Sequence, residues 1–374
     1  MPFRIVVLGG YGQFGGRISR ALAGERQVEL IVAGRGYAAA AAFIGKLDGT
    51  VAHCEPIVLD HAASDFPTTL RELRPNLVVH TSGPFQGQSY HVARAAIDTG
   101  AHYLDLADGR AFVSGITSLD SVAREKAVVV ASGASTLPAV SSAVIEHLRP
   151  AFAQMRDVEI TIAPGQKTPR GVATMESILS YCGRPFLEWN DGAWRRVHGW
   201  QGLRRFRHPE LGVRWAARCD VPDLDLLPVW YPALRSARFD ASLELSASHI
   251  GLWMLAWLVR AGLIRRPETC AEMLLRLARM MDGWGTNIGG MHVGVTGTDA
   301  GGKSIRRDWY VKAGSGHGPD IPCIPAIVIA KKLARGESIA PGARPCHGMM
   351  TLEEFDTAVR HLHICWHVFE QTAS

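Results

Sequence analysis

The stretch Arg4-Ile5-Val6-Val7-Leu8-Gly9-Gly10-Tyr11-Gly12-Gln13-Phe14-Gly15-Gly16 decides how the chain is read. Its unbroken apolar run, rich in β-branched residues, predicts a strand buried on both faces. The glycines that follow predict a tight turn into a helix over residues 13–24. Gly10, Gly12 and Gly15 form GxGxxG, while Gly9, Gly12 and Gly15 form GxxGxxG. Glycine is needed at such a turn for three reasons: one position bends sharply, one lets a pyrophosphate approach the backbone, and one lets helix and strand pack closely. The helix start then offers amide donors and partial positive charge to an anion. Set between a strand and a helix, the motif predicts dinucleotide binding by Gly10, Tyr11, Gly12, Gln13, Phe14 and Gly15, the bland alternative being a structural turn.

Moving outward, strand-like runs recur at 28–33, 56–59, 77–80, 102–106 and 127–131, separated by helical segments. Continuous apolar strands alternating with helices predict a parallel sheet covered on both faces, a doubly wound α/β Rossmann domain over residues 1–145. Past Pro150 the texture changes. Strand-like segments lie at 158–163, 238–245, 291–296 and 304–312, and the last two flank the turn residues Thr298-Asp299-Ala300-Gly301-Gly302. A hairpin and a second, α+β domain with a mixed or antiparallel sheet are expected over 146–313. Residues 314–374 are expected to return towards the first domain. Thr351-Leu352-Glu353-Glu354 reads as a capping box. The tail alternates Leu362, Ile364, Trp366 and Val368 with His361, His363, Cys365 and His367, the period of a strand with one buried face.

Composition narrows the class. The 374 residues are 47% hydrophobic and 20% charged, which excludes a disordered chain and favours two domains. Forty basic against 35 acidic residues is too even to imply nucleic acid. The seven cysteines form no CxxC and are read as free thiols of a reducing cytosol. Met1-Pro2-Phe3 runs straight into the first strand, so no signal peptide is expected and the location expected is cytoplasmic. The most apolar run, 250–259, is short of the ~20 residues of a membrane span. Rich in tryptophan, it is expected to be buried between domains or in a homodimer interface, in preference to lying on a membrane surface. The straight row of His361, His363, Cys365 and His367 cannot converge on one ion without a second segment, and no metal is expected.

The cofactor type is read at the second strand's end. An NAD site carries Asp or Glu there, to hold the ribose hydroxyls. Here the sequence is Ala33-Gly34-Arg35-Gly36, with Glu29 at the wrong end of the strand. Arg35 is read as the partner of a 2′-phosphate, against a plain solvated arginine, so NADP(H) is expected. The short-chain dehydrogenase mechanism needs a lysine four residues after a tyrosine. Tyr90, Tyr103, Tyr231 and Tyr310 have none.

With these residues in view, the chain resembles the saccharopine dehydrogenase-like family of NADP-dependent oxidoreductases. The carrying motifs are the glycine turn, Ala33-Gly34-Arg35, Thr81-Ser82-Gly83-Pro84-Phe85 and Tyr103-Leu104-Asp105-Leu106-Ala107-Asp108-Gly109, covering residues 1 to about 145. The resemblance implies that Ser82, Gly83, Pro84 and Phe85 lie beside the nicotinamide ribose. One departure bears on substrate: Ser132-Gly133-Ala134-Ser135-Thr136 lacks the carboxylate that saccharopine reductases carry there.

Hydride transfer to an imine or carbonyl needs a proton donor. Asp105 is read as a buried structural carboxylate. Asp108 is the candidate acid/base, with a helix N-cap as its alternative, and His317 on a glycine-rich loop is the second candidate donor. Lys167 and Arg170, two cations on a loop after a strand, are candidates to clamp a substrate carboxylate, against a solvated loop. The expectation is therefore an NADP(H)-dependent oxidoreductase acting at a C–N or C–O centre of a small carboxylate-bearing metabolite. A cofactor-sensing or membrane-surface protein without catalysis is the alternative.

Overall fold

The computed structural model describes residues 2–372. Along the first part run β1 (Phe3–Leu8), α1 (Gly15–Ala23), β2 (Val28–Gly34), α2 (Tyr37–Ile44), β3 (His53–Val58), α3 (Phe66–Leu73), β4 (Leu77–His80), α4 (His91–Asp98), β5 (His102–Asp105), α5 (Arg110–Gly115), α6 (Asp120–Glu125) and β6 (Val129–Ser132). There follow α7 (Ser141–Leu148), β7 (Gln154–Ala163), α8 (Val172–Ser180), β8 (Pro185–Asn190), β9 (Ala193–His198), β10 (Arg204–His208), β11 (Gly212–Arg218), α9 (Asp223–Trp230), β12 (Ser236–Ala241), α10 (Ser246–Arg260), α11 (Ala271–Met280), β13 (Gly289–Thr298) and β14 (Ser304–Ala313). The chain closes with α12 (Ile324–Ala334), β15 (Gly342–Pro345), α13 (Leu352–Val359) and β16 (Ile364–Thr372).

Two compact units result: residues 1–140 with 320–358, and residues 141–319 with 359–374. The first holds a seven-stranded sheet in the order β15-β6-β5-β4-β1-β2-β3, parallel throughout. The order reverses between β1 and β4, which creates a crevice at the carboxyl ends of those strands. Alternate residues of β1 serve two separate cores. Ile5 and Val7 join Ile18, Leu22 and Ile329 on one face, while Val6 and Leu8 join Phe66, Leu70 and Ala96 on the other. That two-sided burial is why the strands read as unbroken apolar runs.

The second unit is built on nine strands, β10-β11-β12-β7-β13-β14-β16 with β8 and β9 attached beside β12. Only β12 and β7 pair in parallel in that path. Register places Phe239, Ile160, Val293, Trp309 and Val368 in one cross-strand row. One residue over, on the opposite face, the row is Arg238, Glu159, Gly294, Asp308 and Phe369. The sheet is thus apolar on one side and charged on the other. The expected hairpin around 298–304 is present as β13–β14, and the tail strand as β16, with its alternation of half-buried and exposed residues. The capping box is reciprocal: Thr351 N–H donates to Glu354 Oε2 at 2.9 Å and Glu354 N–H to Thr351 Oγ1 at 3.2 Å.

Three readings need correction. Of residues 314–374, expected to return towards the first domain, only 320–358 join the first unit, while 359–374 add β16 to the second sheet beside β14. The helix expected over 88–99 starts only at His91, because Gln88 is used to fasten the preceding loop. The apolar segment 249–260 forms α10 but is not buried within the chain. Only His249 and Ala256 of this helix are buried, and Met254, Trp257 and Leu258 are exposed. Its apolar residues run all round the helix, more than one core-facing stripe can cover.

Candidate functional site

Within the first unit, three loops leave the carboxyl edge of the parallel sheet side by side: the glycine turn after β1, residues 81–86 after β4, and residues 106–109 after β5. The glycine turn is closed by backbone bonds. Gly9 and Gly10 N–H both donate to Ala33 O (2.9 and 3.0 Å), Gly12 N–H to Gly9 O (2.8 Å) and Gly16 N–H to Gly12 O (2.8 Å). Gly9 has φ +76°, a conformation that favours glycine. A Cβ on Gly15 would sit 2.2 Å from Gly9 O, and one on Gly10 2.8 Å from Val7 O. The turn therefore has the close-packed form that lets an anion meet the start of α1, where no acidic side chain competes in the first turn.

Tyr11 ties this turn to the next loop. Its hydroxyl accepts a hydrogen bond from Gly36 N–H at 3.0 Å, and its ring lies where a Cβ on Gly34 would come within 2.5 Å. Arg35, held between those glycines, is exposed and makes no ion pair among the described residues. The guanidinium is therefore available to a phosphate. Phe14 packs instead on the core, and Gln13 contributes its carbonyl to Arg17 at 2.7 Å. These residues fit a dinucleotide: a glycine cradle, open helix amides and an uncommitted arginine beyond β2.

The second loop is anchored against the first. Thr81 Oγ1 donates to Leu8 O at 2.7 Å, and a Cβ on Gly9 would meet Thr81 Oγ1 and Ser82 Oγ within 3 Å. Gln88 Nε2 donates to Ser82 O (3.0 Å) and Pro84 O (2.7 Å), so it clasps the loop from inside. Gly83 is exposed, whereas Phe85 is buried between His80 and Phe112, at 5.0 and 5.4 Å between ring centroids. The Phe85 side chain is a peg for the loop, and what the loop presents outward is Ser82 and Gly83. Sequence reasoning missed Gln88, since a lone glutamine near a turn carries no motif.

On the third loop Asp108 is exposed and its Oδ1 accepts from Gln86 Nε2 at 3.2 Å. It does not cap α5, whose start has no side-chain cap. Asp105 is fully buried. Its Oδ1 accepts from Gly133 N–H (2.8 Å), Ala107 N–H (3.0 Å) and Ser132 Oγ (2.9 Å), fastening the end of β5 to the end of β6. Burial raises its pKa to about 6, hydrogen bonding from Gly133, Ala107, Ser132 and Tyr103 opposing that rise. Burial likewise depresses His80 to about 3, so this ring stays neutral, with Nδ1 3.1 Å from the Tyr103 hydroxyl.

In the second unit, Lys167 is exposed and its backbone N–H donates to Thr286 O at 2.8 Å. Arg170 is engaged by Asp282 at 3.1 Å. Glu244, absent from the sequence reading, holds both sides of this region by accepting from Gln166 N–H (2.6 Å) and Thr286 N–H (2.9 Å). His317 Nδ1 accepts from His363 N–H at 3.2 Å and stacks on the His363 ring, which leaves Nε2 as its outward nitrogen. Four of the eight arginines between 184 and 218 are ion-paired internally: Arg184 with Glu268, Arg204 with Asp240, Arg214 with Glu244 and Arg218 with Glu188. Arg205 stacks on Trp215 at 4.1 Å. Arg218, Arg238 and Arg306 edge a cavity of about 260 Å³, each already matched by a carboxylate. In the tail, Glu210 brings a second segment to Cys365 and His367, their ligand atoms lying within 4.8 Å of one another. Lys312 already pairs with that carboxylate, and no metal is assigned.

Residues 5–161 match the family model of the saccharopine dehydrogenase NADP binding domain, the cofactor-holding part of an oxidoreductase, and its cofactor is NADP(H). Among solved structures, the fold is similar to apo saccharopine dehydrogenase (L-Glu forming) from Saccharomyces cerevisiae, at 12% identity and TM-score 0.67, covering 98% of this chain and 100% of that one. Amine dehydrogenase from Mycobacterium smegmatis aligns at 11% identity and TM-score 0.46, over 91% of this chain and 94% of that one. No curated protein matches the sequence significantly.

Proposed function

We propose that this chain, whose residues 5–161 are a saccharopine dehydrogenase-like NADP-binding domain, reduces or oxidises a C–N or C–O centre of a small carboxylate-bearing metabolite. The observation that carries the reading is the convergence of three loops at the switch point, with Asp108 tied to Gln86 of the loop after β4. NADPH, when bound, supplies the hydride, and the product needs one proton at oxygen or nitrogen. Asp108 is the proposed donor: exposed, and oriented by the Gln86 side-chain amide at 3.2 Å. His317 is the second candidate, its outward Nε2 fixed by the bond at Nδ1. Lys167 is the proposed partner of a substrate carboxylate. Arg170 is the weaker one because Asp282 already neutralises it. A homodimer in the cytoplasm is part of the same proposal.

Titration with NADPH and NADH, followed by nicotinamide fluorescence, tests the cofactor half. A screen of 2-oxo acids with and without amines, followed by loss of reduced-nicotinamide absorbance, tests the chemistry. Tight NADPH binding with no turnover across that screen would favour the cofactor-sensing alternative.

A further inference from the structure

We propose that the helical hairpin of α10 and α11 docks the protein on an anionic phospholipid surface. Eight of the eighteen large apolar side chains that the described residues expose fall between positions 254 and 284. Scattered exposed apolar residues are ordinary, but such a concentration in 31 positions is not. On α10, Met254, Trp257 and Leu258 occupy one stripe at i, i+3, i+4. On α11, Met273, Leu277 and Met280 occupy another at i, i+4, i+7, and all six are between 42% and 79% exposed. Leu263, 74% exposed, stands at the turn between the helices, and Trp284, 77% exposed, follows α11. Trp at the edge of an apolar stripe suits the headgroup level of a bilayer.

Charge selects the occupant. Ser248 Oγ lies 3.7 Å from Met281 Sδ, so the start of α10 comes close to the residue that follows α11. The acids of this hairpin are taken: Glu268 by Arg184, Glu272 by Arg276 and Asp282 by Arg170. Arg260, Arg265, Arg266 and Arg279 have no carboxylate partner among the described residues. Apolar stripes bordered by uncompensated guanidinium groups match a surface that is apolar within and anionic at its headgroups. A protein partner would need its own acidic rim around an apolar patch, whereas an anionic bilayer offers both everywhere. Among the described residues no helix is long and apolar enough to cross a membrane, so the association is peripheral.

The test uses the full chain and sedimentation with vesicles of phosphatidylcholine doped with phosphatidylserine, beside vesicles of phosphatidylcholine alone. The expected result is pelleting with the anionic vesicles, loss of pelleting as salt rises, and a blue shift of tryptophan emission. The triple variant Met254→Ser, Leu258→Ser, Leu277→Ser should bind roughly tenfold less or weaker still, given the apolar area removed. Should that variant fail to fold, Arg265→Glu with Arg266→Glu, both at exposed positions, is expected to abolish the salt-sensitive binding. Wild-type protein that stays in the supernatant with anionic vesicles overturns the proposal. So does a dimer in solution that the serine variant dissociates, since a second copy would then be the cover.

Discussion

Replacing Gly15 with alanine puts one methyl group where the structure has no room. The new Cβ would lie 2.2 Å from Gly9 O and 2.6 Å from Thr81 Oγ1, whereas ordinary contact begins near 3.4 Å. The turn and the first residue of α1 must therefore separate by about 1.2 Å, and both sides are backbone, which cannot rotate away. Overpacking of this kind costs about 1–3 kcal/mol of stability. The larger effect falls on the cofactor. The amides at the start of α1 leave hydrogen-bond range of a phosphate, and each charge-assisted bond is worth about 1.5–3 kcal/mol. Losing two weakens binding by about 3–6 kcal/mol, or two to four decades in Kd. Gly24→Ala, past the end of α1 and away from the turn, is the control, because its φ of −80° suits any residue and its Cβ would meet only Ala21 O, at 3.8 Å. NADPH fluorescence titration of both variants, with thermal melts to establish that each is folded, makes the comparison. A folded Gly15→Ala protein that binds NADPH within threefold of the parent would refute the assignment of this turn as the phosphate cradle.

Three further outcomes are expected. Arg35→Ala should weaken NADPH by about 1.5–3 kcal/mol, the range for a hydrogen bond to a charged group, and leave NADH unchanged in the same titration. Equal losses for both cofactors would remove Arg35 from phosphate recognition. Asp108→Asn should lower turnover about 10²–10⁴-fold, the range for a general acid, with little change in NADPH affinity; unchanged steady-state kcat would exclude it. Asp105 carries the pH prediction. Its folded pKa, raised by burial from 3.8 to about 6, means that its contribution to stability is full below pH 4 and is lost as pH rises through 6. The loss is on the order of 2–3 kcal/mol. Asn in its place imitates the protonated acid, because the Gly133, Ala107 and Ser132 donors all meet Oδ1 and none meets Oδ2. Denaturant melts from pH 4 to pH 7 should show that slope in the parent and not in Asp105→Asn, and a parallel slope in both would contradict the reading.

The parallel sheet was legible because strands buried on both faces must be apolar at every position, and Ile5 to Leu8 has no competing explanation. The glycine turn was legible because its geometry excludes side chains. The 185–218 segment was harder: β8 to β11 form short hairpins whose arginines and tryptophans alternate without an apolar run, and the ion pairs that hold them span distant parts of the sequence, as Arg204 with Asp240 does. Gln88 and Glu244 act through backbone groups that any residue supplies, so no pattern marks them. Over 249–260 apolar content did not mean burial between domains, while cover by a second copy in a homodimer, the other half of that expectation, is not tested by a single chain. A helix apolar all round has two faces, and the chain covers one.

The last strand of the parallel sheet has a consequence for biosynthesis. Arg344 of β15 pairs with Ala131 of β6, over two hundred residues earlier, and Ala343, Cys346 and Met349 complete cores begun by residues 5–33. As the chain leaves the ribosome, β6 stands as a bare edge while residues 141–319 are translated, and the sheet is closed only when position 345 emerges. A nascent nucleotide-binding unit ending near residue 140 is thus an open-edged intermediate, exposed to strand pairing with neighbouring chains. Shortening the transit of residues 141–319 through synthesis, or chaperoning that edge, should govern how much of the protein reaches its folded state.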